Sequence, residues 1–169
     1  MSPLEQILRR LVADLDETGS RWALVGGLAV SVRARPRFTN DIDLGVAVAN
    51  DAEAEALIFA LSRKYRVLAC LEHEGRGCLS TVRLLPLGQD EEGIIVDLLF
   101  ASSGIEPELV EAATPLDVFD GLRMLVATTG HLLAMKLLAM DDVRRPQDRL
   151  DIMALLERAD EAELARVRE

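Results

Sequence analysis

The chain has 169 residues, a formal net charge of −10 and an apolar content of 50%. This length and this apolar content suit one compact domain with a packed core and exclude wholesale disorder. The acidic balance excludes a protein that grips nucleic acid through bulk positive charge, but it leaves room for an anionic ligand at one local site.

The cysteine content and the apolar stretches of the sequence both favour a cytoplasmic location. Two cysteines cannot form a disulfide framework. The first residues lack the uninterrupted apolar stretch of a signal peptide, and no later apolar run is long enough to span a bilayer. We therefore expect a cytoplasmic protein without a membrane segment.

The first half of the chain predicts a helix followed by alternating strands and helices. Ser2 is a suitable N-cap for the first helix, and Gly19 is a suitable stop. The next predicted elements are a strand over 22–25, a helix over 28–34, a loop over 36–40, a strand over 42–48, a helix over 50–64, and paired strands over 65–71 and 79–85.

The second half predicts strands that give way to helices. Its predicted elements are a strand over 94–100, a partly helical segment over 102–114, short strands within 116–127 broken at 120–121, a helix over 131–140, a helix over 146–158 and a short helix after Asp160. This order predicts an α+β fold, with a core over 1–127 and a helical tail over 128–169 packed on it.

A glycine pair, Gly26-Gly27, stands between a predicted strand and a predicted helix. Glycines at the start of a helix let a phosphate approach backbone amides closely. A tight strand-to-helix turn would require the same residues for packing alone. By itself the pair leaves both interpretations open.

Asp41 and Asp43 are two residues apart on a predicted strand, so both carboxylates point to one face. Such a pair repels unless a cation lies between the carboxylates, and hard oxygen ligands suit magnesium. The alternative is a solvated acidic strand end, which the apolar residues that alternate with the pair disfavour.

Asp97 is the one charged residue in the apolar strand over 94–100. A carboxylate there is costly unless it is paired or binds a metal. If this strand lies beside the strand of Asp41, three carboxylates converge as ligands for one or two magnesium ions that bridge nucleotide phosphates. We expect two ions. The alternative is an aspartate satisfied by an arginine.

The segment from Ala23 to Leu44 closely resembles the nucleotidyltransferase superfamily of the DNA polymerase β type, and the chain looks most like its AbiEii/AbiGii toxin members. The resemblance rests on Gly-Gly, then Asp-x-Asp, then a later isolated Asp. It implies a nucleotidyltransferase-type mixed sheet flanked by helices. Asn40 stands where that family usually has a lysine.

The tail resembles the same family. Lys136 lies on an apolar helix, so it either snorkels to water or is held for a ligand. The resemblance implies the second role, contact with nucleotide phosphates. Arg144, Asp148 and Asp151 match an Arg…Asp…Asp pattern of the next helix, with a structural, salt-bridging role as the alternative.

Three weaker signals complete the pattern. Arg33, Arg35 and Arg37 form a local basic cluster just before the acidic pair, and we assign Arg37 to nucleotide binding, with a solvated loop as the alternative. Zinc at the irregularly spaced set Cys70, His73 and Cys78 is disfavoured. His131 is interpreted as a packed or capping residue rather than a base.

Together these features predict a magnesium-dependent nucleotidyltransferase with a nucleoside triphosphate as co-substrate. Gly26, Gly27, Arg37 and Lys136 would bind the nucleotide, while Asp41, Asp43 and Asp97 would bind metal and act in catalysis. The expected acceptor is an RNA or a protein, and a cognate antitoxin is an expected partner. The alternatives are an antibiotic nucleotidyltransferase, which the acidic balance favours, and a silent nucleotide-binding member.

Overall fold

The computed structural model describes residues 1–90, 92–140 and 146–168. Within these ranges the chain forms seven strands: β1 Arg21–Val25, β2 Asp41–Ala47, β3 Tyr65–Glu72, β4 Leu79–Pro86, β5 Ile95–Leu99, β6 Thr114–Phe119 and β7 Leu122–Val126. It also forms seven helices: α1 Pro3–Thr18, α2 Gly26–Arg33, α3 Asp51–Leu61, α4 Glu106–Ala112, α5 Thr129–Leu138, α6 Pro146–Leu156 and α7 Glu161–Val167.

All seven strands belong to one mixed sheet with the order β3-β4-β5-β2-β1-β7-β6. At its centre β2 runs antiparallel to β1 and parallel to β5. Two antiparallel hairpins, β3-β4 and β6-β7, extend the sheet on either side. The α+β fold predicted from the order of the elements is therefore confirmed.

Local side-chain bonds explain several helix ends. The Ser2 hydroxyl accepts a hydrogen bond from the backbone N–H of Glu5 (3.1 Å), and Gly19 ends α1 with a φ of 68°. The Thr128 hydroxyl caps α5 in the same way, at 3.3 Å from the backbone nitrogen of His131. In the described part of the chain, no helix is both long and apolar enough to cross a membrane.

One apolar core holds the sheet and the helices together, including Leu155 of α6. Alternation along β2 buries Ile42, Leu44 and Val46 and leaves the opposite face to the acidic pair and Gly45. Gly45 lies against Leu109 of α4, where an added Cβ would be 3.0 Å from the leucine side chain. Helix α4 therefore covers the acidic face of β2 just beyond the two aspartates.

Several predicted boundaries differ from the structure by a few residues. Helix α2 begins at Gly26, two residues before its predicted start, so the glycine pair forms its first turn. Helix α3 ends at Leu61 instead of 64, because the chain must turn before it enters β3. The partly helical segment contains α4, and the strands predicted within 116–127 form the β6-β7 hairpin.

Candidate active site

A cleft with a volume of about 690 Å³ opens where β1 ends, β2 begins and α2 starts. The middle of β5 and parts of α5 and α6 line it as well. Eight of the predicted site residues contribute to its lining: Gly26, Gly27, Arg37, Asp41, Asp43, Asp97, Lys136 and Asp148. Asp151 is buried behind this lining, and Arg144 lies outside the described residues.

The sheet brings the three predicted acidic residues to one face. Asp43 on β2 is the direct register partner of Asp97 on β5, and Asp41 precedes Asp43 by two residues on the same face. Asp41 is exposed, Asp43 is half-buried and Asp97 is buried. Carboxylates that share one face repel one another, and a nearby cation offsets that repulsion.

Arg83 on β4 supplies one such cation. Its Nε donates to Asp97 Oδ1 at 2.9 Å, and its Nη2 donates to Asp97 Oδ2 at 2.7 Å. The hydrogen bonding of Arg83 to Asp97 raises the pKa of the guanidinium, and the charges of Asp41 and Asp43 raise it further. Sequence reasoning considered a generic arginine for Asp97 but did not identify Arg83.

The donor set fits a magnesium ion in kind. Three carboxylates supply hard oxygen ligands on one face, and one of them, Asp97, is paired with Arg83. Among the described residues, however, no three His, Cys, Asp or Glu side chains stand close enough together to hold an ion as arranged. Asp97 has both oxygens engaged by Arg83, so it can join the other two carboxylates only by leaving that arginine.

The glycine pair closes the other side of the acidic cluster. Gly26 has a φ of 66°, and a Cβ added to it would overlap the carboxylate of Asp43. A Cβ on Gly27 would overlap the guanidinium of Arg37. The first turn of α2 thus lies against the Asp43 carboxylate and the Arg37 guanidinium with no side chain of its own in the way, and the first amides of a helix can bind a phosphate.

Lys136 lies in a buried ion cluster with two aspartates of α6. Its Nζ is 2.6 Å from Asp148 Oδ1 and 2.9 Å from Asp151 Oδ2. Arg37 joins them, with its Nη2 donating to Asp151 Oδ2 at 3.0 Å. The cluster places two cations, Lys136 and Arg37, at the wall of the cleft and joins α6 to the 36–40 loop.

A buried carboxylate of α4 orders the loop that follows β5. Glu106 is fully buried and accepts hydrogen bonds from the Ser102 hydroxyl (2.6 Å), the Ser103 N–H and hydroxyl (2.8 and 3.0 Å) and the Gly104 N–H (2.9 Å). Burial alone would raise the pKa of Glu106, but these hydrogen bonds together lower it. Ser102 and Ser103 line the cleft, a role that sequence reasoning missed because their loop follows no regular pattern.

Three of the remaining candidates, Arg33, Arg35 and His131, have structural partners. Arg33 donates to the carbonyls of Val126 and Ala127 at 2.8 and 2.9 Å, and Arg35 pairs with Glu157 at 3.2 Å. His131 Nδ1 lies 2.8 Å from the Thr128 hydroxyl at the start of α5. The cysteines, Cys70 and Cys78, are free thiols on or near the β3-β4 hairpin.

A family model decides the class of the protein. The family described as nucleotidyl transferase AbiEii toxin, type IV toxin–antitoxin system, matches residues 6–169. The chain belongs to the AbiEii family. The predicted enzyme class, a nucleotidyltransferase, is thereby confirmed, and the predicted AbiEii resemblance is confirmed with it. No curated protein matches this AbiEii chain significantly.

Solved structures support the fold of this AbiEii chain. The lincosamide antibiotic adenylyltransferase LnuA, solved with lincomycin bound, has 16% identity and a TM-score of 0.57, covering 92% of this chain and 98% of its own. The antibiotic-resistance factor ANT(2'')-Ia has 16% identity and a TM-score of 0.63, with coverages of 96% and 88%. A candidate nucleotidyltransferase from Thermotoga maritima has 15% identity and a TM-score of 0.57, with coverages of 91% and 92%.

Proposed function

We propose that this AbiEii chain transfers a nucleoside monophosphate from a nucleoside triphosphate to an acceptor hydroxyl in a magnesium-dependent reaction. The observation that carries the proposal is the convergence of Asp41, Asp43 and Asp97 on one face of the sheet, beside the glycine start of α2. Carboxylates that meet a phosphate-binding helix start are suited to hold a metal nucleotide.

In the proposed reaction, a bond forms between the acceptor oxygen and the α-phosphorus while the bond from that phosphorus to the pyrophosphate oxygen breaks. Pyrophosphate leaves with the bonding electrons. Magnesium, held by Asp41, Asp43 and Asp97 when bound, would polarise the phosphoryl oxygens and offset their charge. Asp97 is the group that we assign to receive the acceptor proton, because it lies deepest in the cluster.

Nucleotide binding is assigned to Gly26, Gly27, Arg37 and Lys136. The glycines leave the first amides of α2 open to phosphate oxygens. Lys136 and Arg37 can contribute only if their aspartate partners share them with the ligand. We therefore assign Asp148 and Asp151 the role of holding these cations in place, and Arg144 keeps the structural role that the sequence predicts for it. In this division residues 1–127 carry the catalytic carboxylates, and residues 128–169 add a phosphate-binding wall.

The acceptor hydroxyl is proposed to belong to tRNA or to a protein, because toxins of the type IV toxin–antitoxin systems are the family to which the chain belongs. The same membership supports a cognate antitoxin as partner and a cytoplasmic reaction. Among the described residues that line the cleft are four aspartates and three cations, so a cationic antibiotic stays a second acceptor for the test.

The decisive experiment replaces the acidic pair. The Asp41→Asn/Asp43→Asn variant, incubated with labelled nucleoside triphosphates, magnesium and cell extract, is expected to lose on the order of 10³-fold in transfer, which corresponds to ~4 kcal/mol of transition-state stabilisation. Asp117→Asn is the matched control, because Asp117 lies on β6 away from the cleft. Transfer that survives the double substitution, or its absence in the parent chain, overturns the proposal.

The same assay identifies the acceptor. Total tRNA, the protein fraction and an aminoglycoside are supplied separately, and each is analysed for the added mass of a nucleoside monophosphate. Label on tRNA or on protein supports the toxin interpretation. Label confined to the aminoglycoside supports the antibiotic alternative. Nucleotide binding without label in any fraction supports a silent member.

A further inference from the structure

The pair formed by Arg83 and Asp97 is placed by the sheet itself. The two residues are register partners on the antiparallel strands β4 and β5, so their side chains emerge side by side on the same face. The guanidinium contacts both carboxylate oxygens in a fork, at 2.9 and 2.7 Å. This geometry is the strongest that an arginine and a carboxylate adopt, and it leaves Asp97 no oxygen free of Arg83.

We infer that Arg83 acts as the counter-cation of Asp97 when metal is absent, and that it competes with a divalent cation for this carboxylate. The inference rests on the proposed function, since it assigns Asp97 as a metal ligand. It makes Arg83 a positioning residue of the active site: it holds Asp97 in a fixed orientation and releases it when a metal enters.

The exposure of the two side chains identifies which partner moves. The side chain of Arg83 is 52% exposed, whereas that of Asp97 is 12% exposed. The carboxylate is fixed within the sheet, while the long arginine side chain can turn into solvent and keep its charge hydrated. An entering metal therefore meets Asp97 in place and displaces the guanidinium.

Charge makes the exchange competitive. An arginine cannot lose its proton in this environment, so it must withdraw as a cation. Its positive charge also opposes a divalent cation at the neighbouring Asp41 and Asp43, whose negative charges act on the same guanidinium. Removing the charge should thus strengthen metal binding even though it removes a bond to a proposed metal ligand.

Metal binding without nucleotide tests the inference directly. The full chain is titrated with Mn²⁺ as a magnesium substitute, and free Mn²⁺ is measured by electron paramagnetic resonance. Arg83→Gln is expected to bind Mn²⁺ about tenfold more tightly than the parent chain. Arg83→Lys, which keeps the charge but cannot form the fork, is expected to lie between them.

Thermal unfolding gives a second readout. In EDTA, Arg83→Gln is expected to melt below the parent chain, because the Asp97 carboxylate then loses the guanidinium that binds both of its oxygens. Added Mg²⁺ is expected to raise its melting temperature more than that of the parent chain. If Arg83→Gln fails to fold in EDTA, the Arg83→Lys comparison decides alone, and an affinity equal to or weaker than that of the parent overturns the inference.

Two control variants separate the inference from the proposed function. Arg123→Gln removes a cross-strand arginine that pairs with Asp117 in the β6-β7 hairpin, and it is expected to leave Mn²⁺ affinity unchanged. Asp97→Asn is expected to weaken it. If Asp97→Asn weakens binding but Arg83→Gln equals the parent or binds less tightly, the role of Arg83 is wrong and the metal site stands. If neither the parent chain nor any variant binds Mn²⁺, the proposed metal site is wrong, and the inference is wrong as well.

Discussion

The backbone of Gly26 lies directly against the carboxylate of Asp43. Val25, the preceding residue, is the register partner of Asp43 on the neighbouring strand, so the chain must leave β1 over that side chain. A residue with a Cβ would displace the carboxylate from the face that it shares with Asp41 and Asp97. The glycine thus sets the position of an acidic residue that lies 17 residues further along the chain.

Gly26→Ala is expected to abolish nucleotidyl transfer and to lower stability by more than the backbone strain alone. Gly19→Ala is the matched control, because Gly19 has a φ of 68° and open space around its Cβ position. The positive φ should cost each variant ~1–2 kcal/mol in chemical denaturation. Gly26→Ala should lose more unfolding free energy than Gly19→Ala, and nucleotidyl transfer should be lost in Gly26→Ala alone. Equal stabilities and equal activities of the two variants would contradict the assignment.

Lys136→Met is expected to destabilise the fold strongly, by about 3–5 kcal/mol, because it leaves Asp148 and Asp151 buried without this cation. The measurement is the free energy of unfolding in urea. Lys64→Met provides the comparison, since Lys64 also lies between two carboxylates, those of Asp14 and Glu17, but is more exposed. A similar loss in both variants would show that burial of the α6 cluster is not the cause.

A double-mutant cycle on Arg37 and Asp151 measures how firmly α6 is tied to the loop before β2. Arg37→Gln and Asp151→Asn are expected to couple by about 1–3 kcal/mol, because the pair is largely buried. The control cycle uses Arg35 and Glu157, which join the same loop to the residue after α6 but are exposed. Its coupling should be close to zero. Equal couplings would indicate that the loop is held by other contacts.

Glu106→Gln is expected to cost about 2 kcal/mol near neutral pH, because an amide cannot accept all the hydrogen bonds that the carboxylate accepts. The pKa of Glu106 is lowered in the folded chain, so its stabilisation is present above the ordinary value of 4.5 and is lost as the pH falls below it. The stability difference between the parent and Glu106→Gln should therefore shrink below pH 4.5. Glu111→Gln, at an exposed position of the same helix, should show no such pH dependence.

The common face of the acidic pair could be predicted because it depends only on the alternation of residues along one strand. The alternation of Asp41 and Asp43 with buried residues fixes their common face. Asp97 could be predicted as an isolated charge in an apolar strand, but its place opposite Asp43 depends on the strand order, which the sequence does not display. These pairings belong to the sheet as a whole.

The roles of Arg83 and Glu106 could not be predicted, because both depend on long-range contacts. Arg83 follows an ordinary strand pattern, and its meaning appears only when β4 is placed beside β5. Glu106 reads as a common acidic residue in the first turn of a helix. Its burial beneath the 102–104 loop depends on how that loop folds back. In both cases a long-range contact, rather than the residue type, carries the information.

The chain contains only two lysines, Lys64 and Lys136. Labelling with an amine-reactive reagent can therefore follow the ion cluster around Lys136. Lys64 is accessible to an amine-reactive reagent, whereas Lys136 is enclosed between Asp148 and Asp151. Mass spectrometry after brief labelling can follow Lys136 with Lys64 as an internal standard. Opening of the cluster would appear as faster labelling of Lys136, and a nucleotide seated on its amine would appear as further protection. The buried lysine of the cleft wall is therefore also a simple residue to monitor.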